Sequence, residues 1–233
     1  MFREAEILAK GNTTWQFLMS CSDDSVGRLG HDHRQVTIKQ MIPAYWPYRI
    51  ILMSRFQSFD PTTATGKAKD LLSAVKTKLG RDLSMTGVMA NSPSVLEGYL
   101  NFSGALAGGQ LSAKLREQIA LVVAQENHCN YCLSAHSAIG EMVGLNHDQV
   151  IASRRATGDT DKTTAALTFA KQVLDTKGQV TESDLNAVRA AGFSDGEIAE
   201  IIAHVALNVF TNYFNIAADV DIDFPKVSYS EIA

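Results

Sequence analysis

Cysteine is scarce in this chain: 233 residues carry three, Cys21, Cys129 and Cys132. A small secreted domain stapled by disulfides would carry more, so the close pair points to catalysis or metal binding in a reducing compartment. Charge of one sign is not in excess either. The 21 Lys and Arg against 25 Asp and Glu leave a net charge of −4, which gives no electrostatic reason to expect nucleic acid or an anionic membrane as a partner. The longest apolar runs fall short of the ~18 residues that a membrane-spanning helix needs. Glu4 and Glu6 stand where a signal peptide has positive charge, and no clear apolar stretch follows them. Cytoplasm is therefore the expected location. No alternating apolar and polar run of strand length occurs, nor a repeat or a low-complexity tract. What remains is an ordinary globular composition, 45% hydrophobic, enough to bury a core without staples.

The chain changes character near residue 53. Residues 1–52 hold both tryptophans (Trp15 and Trp46), the isolated Cys21 and two of the five prolines, without a sustained helical period. They read as an N-terminal extension, either an arm packed on a neighbouring subunit or a segment preceding a natural start at Met53. Residues 53–233 read as one all-α domain. Ala68, Leu71, Leu72, Val75 and Leu79 repeat with helical spacing and stop at Gly80. Ser92-Pro93 opens a helix that Gly108-Gly109 closes, and Ser112 caps the next. A helix carrying the cysteine pair stops near Gly144, and Asn146 caps a short one. Further helices span about Asp161 to Asp175 and Thr181 to Gly192. Ser194 with Glu197 forms a capping box for a last helix reaching Ala218.

The chemistry concentrates in Glu126-Asn-His-Cys-Asn-Tyr-Cys-Leu-Ser-Ala-His136. On a helix, Cys129, Cys132 and His136 share one face. A base beside a thiol raises the fraction of thiolate, the nucleophilic form. One reading is a dithiol that cycles with a disulfide. A second makes the three residues zinc ligands, with His128, His204 or Glu117 as the fourth. A third has two structural cysteines near a core histidine. A thioredoxin fold does not fit, because its CxxC follows a strand in a βαβ unit. In the redox reading, Cys129 at the helix N-terminus is the more exposed, resolving thiol. Cys132, one turn before His136, is the thiol that the imidazole activates.

Two other features frame the pair. Residues 119–124 are apolar all round, which marks a buried helix, and Glu117 enters it one turn earlier. A carboxylate there must pair, hydrogen-bond or keep its proton; the plainest reading pairs it with Lys114 or Arg116 at a partly exposed site. The last helix sets Ile198, Ile201, Ile202, Val205, Val209 and Phe210 against an uncharged stripe of His204, Asn208, Thr211, Asn212 and Asn215. A solvated face is the simplest account of that stripe, and a pocket lining or subunit interface the alternative. His147, just after a cap, is expected at the surface.

The pattern Glu117-x11-Cys129-x2-Cys132-x3-His136 in an all-helical chain resembles the AhpD-like branch of the carboxymuconolactone decarboxylase superfamily. Tyr131 inside the pair and the run Asn212-Tyr-Phe-Asn-Ile-Ala-Ala-Asp219 are similar to its peroxidase-related members. The resemblance covers about Met53 to Pro225. It implies a compact helical fold that assembles into homo-oligomers, commonly trimers or hexamers. It also implies alkyl hydroperoxide reductase activity, of peroxiredoxin type, with no haem, flavin or metal cofactor. Cys132 would then be the peroxidatic thiol, Cys129 the resolving thiol, and His136 with Glu117 the proton relay. An organic hydroperoxide would be the substrate, and a dithiol, lipoyl-type in the best-known relatives, the reductant. AhpD relatives often carry a histidine between the cysteines where this chain has Tyr131, which points to a weaker relay or a different reductant; His128 is the residue at hand to substitute. The alternative functions are a decarboxylase acting on a muconolactone-like acid, against which the intact CxxC argues, and a non-catalytic redox sensor.

Overall fold

The computed structural model describes residues 54–232, together with two two-residue strands, Ile7–Leu8 (β1) and Gln16–Phe17 (β2), paired antiparallel with Ile7 opposite Phe17. By its contacts the chain divides between Arg49 and Ile50; the status of residues 1–52 lies outside the described residues. From residue 54 on, the described residues are all-α: nine helices and a closing 3-10 turn, Tyr229–Ile232, without a strand.

The expected punctuation is largely where the helices begin and end. Helix α1 (Gly66–Leu79) stops at Gly80, whose φ of 72° is the left-handed conformation that glycine adopts without strain. After the short α2 (Ser84–Met89), Pro93 takes the first turn of α3 (Pro93–Ala107). Ser112 caps α4 (Ala113–Glu126) by accepting from Leu115 N–H. Helix α5 (Asn130–Met142) starts at the cysteine pair. Asn146 with Gln149, Thr181 with Asp184 and Ser194 with Glu197 form reciprocal capping boxes for α6 (His147–Arg154), α8 (Glu182–Ala190) and α9 (Asp195–Ala218). Thr160 caps α7 (Asp161–Asp175).

Helix α4 runs through the middle of this arrangement. Ile119, Leu121, Val122, Val123 and Ala124 are each fully buried, and the helix divides its side chains between two apolar clusters. Leu121 and Ala124 join α1–α3, the start of α5 and the C-terminal tail. Ile119, Val122 and Val123 join α7, α8 and the first half of α9. Ile198, Ile201 and Val205 of α9 are buried as expected, whereas Ile202 and Phe210 are exposed. By length and composition α9 could also cross a membrane, contrary to the expectation from its apolar runs; half of its most apolar stretch is buried inside the protein.

Helix α2 has no counterpart in the sequence reading because its N-terminal cap comes from elsewhere. Asp223 accepts from Ser84 N–H at 2.9 Å and from Ser84 Oγ at 2.6 Å, a pairing across 139 residues. Gly87 of this helix lies so close to Phe59 that a Cβ would meet its carbonyl oxygen at 2.5 Å. The segment after α9 then runs back along α5. Val227 N–H donates to Ser134 Oγ at 2.9 Å and Tyr229 N–H to Asn130 Oδ1 at 3.0 Å.

Arg154, at the end of α6, anchors this segment from inside. Its residue is 2% exposed, and it donates Nε to Gln125 Oε1 at 3.0 Å and Nη2 to Ser228 carbonyl at 2.7 Å. The exposed Glu231 carboxylate stands 3.7 Å from Nη1. Truncating Arg154 strands two acceptors, and hydrogen bonds to a charged donor contribute about 1.5–3 kcal/mol each. Arg154→Met is expected to lower unfolding free energy by about 3 kcal/mol, read from urea midpoints, and to expose the C-terminal segment to protease. Glu231→Gln, at an exposed partner, is expected to change stability by under about 1 kcal/mol.

Candidate active site

The site forms where α4 turns into α5. Asn127 ends α4, His128 takes the left-handed conformation at φ 56°, and Cys129 N–H returns to Ala124 carbonyl at 2.9 Å. This one-residue reversal makes Cys129 the N-cap of α5, its Sγ accepting from Cys132 N–H at 3.2 Å. The two cysteines are joined in a disulfide with Cα atoms 5.3 Å apart. Both are buried, Cys129 at 1% and Cys132 at 2% exposure, so Cys129 is not the exposed partner that its place at the helix end suggested. A cap residue on a surface helix meets solvent; here the corner is folded into the first apolar cluster.

A cavity of about 220 Å³ opens beside Cys132 rather than Cys129. His136, one turn further along α5, lines it together with Glu117 of α4, and Nδ1 of His136 is 2.7 Å from Oε2 of Glu117. The expected pairing of Glu117 with Lys114 or Arg116 is therefore replaced by one with His136. Glu117 is half-buried, and Arg116 instead donates to Leu111 carbonyl at 2.7 Å. With Nδ1 turned to the carboxylate, Nε2 is the ring nitrogen left to exchange a proton with the cavity.

The stripe on α9 is the cavity's opposite wall, not a solvated face. His204, Asn208, Thr211, Asn212 and Asn215 are all buried, and all but Asn212 line the cavity. The absence of charge along the stripe was the signal, since a carboxylate or ammonium at those positions would have no water. Asn215 Nδ2 donates to Cys132 Sγ and to Met85 Sδ, each at 3.3 Å. Tyr99 of α3 joins the lining, its hydroxyl pushed above the ordinary tyrosine range, chiefly by burial. No sequence signal marked Tyr99 or Met85, because only the packing of α2 and α3 brings them here.

Tyr131 and His128 take different places from each other. Tyr131 is buried, and its hydroxyl donates to Asp223 Oδ2 at 2.7 Å. Burial first, then that bond, raises its pKa far above the ordinary value. Its ring meets Phe224, another lining residue, edge-on at 6.1 Å. Tyr131 thus ties down the C-terminal segment. His128 is exposed and stacks on Tyr229 with ring centroids 4.2 Å apart, away from the cavity lining. His147 is exposed, as expected. Among the described residues no group of three or more His, Cys, Asp and Glu is arranged to hold a metal ion.

His204 makes one contribution to the pH dependence of stability. Its Nε2 is buried without a hydrogen-bond partner. Burial, and then the nearby Arg116 charge, depress its pKa below the ordinary 6.5, with Glu200 and Glu117 opposing. The unfolded chain then binds the proton more readily than the folded one, so stability falls as pH drops below about 6.5 and is recovered above it. In His204→Gln that portion of the acid sensitivity is expected to vanish. Between neutrality and about two pH units below it, the urea midpoint of the parent should fall further than that of the variant.

No curated protein matches the chain in sequence. Residues 93–175, from α3 through α7, match the carboxymuconolactone decarboxylase family. Among solved structures, the chain is similar to the AhpD core of an uncharacterized peroxidase-related protein from Ralstonia eutropha JMP134 (TM-score 0.66, 24% identity, covering 73% of this chain and 93% of that one). A peroxidase-related protein from Silicibacter sp. TM1040 gives a TM-score of 0.62 at 22% identity, covering 74% and 94%. A variant of the debrominase Bmp8, in complex with 2,3,4-tribromopyrrole, gives 0.60 at 20% identity, covering 72% and 90%. At these identities the solved structures establish a shared fold. The family match spans α3–α7, under half of the chain, and the fold of the helical unit is shared with the peroxidase-related proteins.

Proposed function

We propose that the protein is a thiol-dependent peroxidase that reduces organic hydroperoxides through Cys132, Cys129, His136 and Glu117. The observation that carries this reading is the placement of Cys132 at a cavity whose wall also holds the His136–Glu117 pair. In the reduced protein, His136 backed by Glu117 takes the Cys132 proton. The thiolate attacks the terminal peroxide oxygen: an S–O bond forms, the O–O bond breaks, and the departing alkoxide receives the proton from His136. Cys129 then attacks the sulfenic sulfur and water leaves, giving the disulfide. A dithiol restores the pair by delivering two electrons and two protons. The disulfide between the two and the Cys132 N–H bond to Cys129 Sγ support Cys129 as the resolving thiol in this reading.

The debrominase among the relatives supports a second reading on the same residues. Replacing a carbon–bromine bond by carbon–hydrogen consumes two electrons and one proton and releases bromide, and a dithiol closing to a disulfide supplies those electrons. Decarboxylation of a muconolactone-like acid has Arg116 in the lining as an anion-binding group, but gives the cysteine pair no task. A sensor role likewise leaves the Glu117–His136 pair without one.

We further propose that the protein is a homo-oligomer built on α9. Ile202, Phe210, Tyr213 and Ile216 form one exposed apolar face, each at least 40% accessible, on the helix whose other face lines the cavity. A contiguous exposed patch of this kind marks an interaction site. Phe210→Asp with Tyr213→Asp is expected to shift the protein to a smaller species in sedimentation velocity; an unchanged distribution removes α9 as the interface.

Cumene hydroperoxide consumption with a dithiol reductant tests the peroxidase, with 2,3,4-tribromopyrrole run alongside. Turnover should vanish in Cys132→Ser and fall about 10²–10⁴-fold in Glu117→Gln, the range for loss of a general acid–base group. Cys129→Ser should accumulate a sulfenic acid at Cys132. Bromide release without peroxide turnover would replace the peroxidase reading by the dehalogenating one.

A further inference from the structure

Asn215 is 3% exposed, and its side chain meets two sulfurs, Cys132 Sγ and Met85 Sδ, each 3.3 Å from Nδ2. Its Oδ1 is buried without a partner. Buried amides are normally satisfied at both ends, and an orphan acceptor costs about 1–3 kcal/mol. In the oxidised state the amide donates only to a disulfide sulfur and a thioether, both weak acceptors. Opening the disulfide changes one of those acceptors. Its reduction by a dithiol brings two electrons and two protons; one proton goes to Cys129, the other to His136 or solvent, and Cys132 is left as a thiolate. A thiolate is a strong acceptor, so the same N–H gains a charge-assisted bond without moving.

We infer that Asn215 is the donor that holds Cys132 as a thiolate once the disulfide is opened, and that it thereby sets both the nucleophilicity and the reducibility of the pair. This rests on the pair being redox-active, not on peroxide being its oxidant. The groups around the cavity that bear on the same titration are Tyr99 from α3, Arg116 and Glu117 from α4, Tyr131 and His136 from α5, and His204 from α9. Of these, the pair Glu117–His136 is the acid–base machinery, able to move the Cys132 proton. Asn215 is uncharged at all pH values and acts on where the sulfur's charge is stable. In the mechanism it would also keep Cys132 anionic between turnovers, when no substrate is present to take the electron pair.

The test uses the full chain in a Cys21→Ser/Cys129→Ser background, where Cys132 is the only thiol. Its ultraviolet thiolate absorbance is titrated, and its alkylation by iodoacetamide is followed, from about pH 5 to pH 10. With Asn215 present, Cys132 should titrate below the ordinary value of about 8.5. Asn215→Ala and the near-isosteric Asn215→Asp should raise that pKa by about one unit or more, so that alkylation near neutrality falls about tenfold while the rate above the pKa is unchanged. With Cys129 restored, the equilibrium with dithiothreitol should shift several-fold toward the disulfide in both variants. A measurement on the unsubstituted protein stands beside these: the Asn215 side-chain amide protons should move downfield on reduction and return as Cys132 is protonated. Unchanged thiol pKa in either folded variant, or amide protons indifferent to reduction, overturns the inference. Loss of peroxide turnover in the parent protein with the thiol shift intact would instead count against the peroxidase reading alone.

Discussion

The burial on every side of the middle of α4, Gln118 to Ala124, is the constraint on which the rest of the structure depends. A stretch of helix without a solvent face has to be wrapped, and the wrapping is done by two clusters that meet along it: α1–α3 with the start of α5 and the tail on one side, α7–α9 on the other. Ile119 to Ala124 alone account for the seam. At roughly 25 cal/mol per Å² of apolar surface removed from water, such a segment is among the strongest sources of stability in a domain this size. It also decides where polarity is permitted. Glu117 enters the helix at the edge of that seam, half-buried, and its carboxylate is satisfied by one specific partner, His136.

From that constraint the site follows with few further steps. At the end of α4 the chain reverses at once, His128 turning it in a single left-handed residue. The reversal puts Cys129 at a helix N-cap in the interior, with Cys132 one turn on and His136 a further turn along α5. Facing them, α9 presents amides and a neutral-leaning histidine instead of hydrocarbon. A cavity bounded in this way brings Cys132, an amide donor on its sulfur and the His136–Glu117 pair to one space.

Much of this was legible in the chain. Ser112, Asn146, Thr181 and Ser194 mark helix starts because their side-chain oxygens satisfy N–H groups that the helix itself leaves unpaired, and each does so in the structure. The spacing of Cys129, Cys132 and His136 placed the three along one stretch of α5 and its cap, and the apolar run 119–124 placed the core. What was not legible is what depends on distant partners. Whether Glu117 pairs within α4 or across to α5 turns on how the two helices cross. The stripe on α9 has the same periodicity whether it faces water or a cavity, and only the missing charge argued for the latter. Helix α2 escaped because its cap, Asp223, lies at the other end of the domain, and Arg154 escaped because an arginine ending a short helix ordinarily points to solvent.

Asp223 carries a kinetic consequence. The same carboxylate caps α2 through Ser84 and holds the hydroxyl of Tyr131, and its neighbour Phe224 closes one side of the cavity. During synthesis, α2 and the cysteine corner emerge long before the residue that joins them, and loop closure over that separation is the slow kind of folding event. Until Asp223 and Phe224 have emerged, α2 lacks its cap and the cavity lacks one wall, however far the rest of the helical framework has formed.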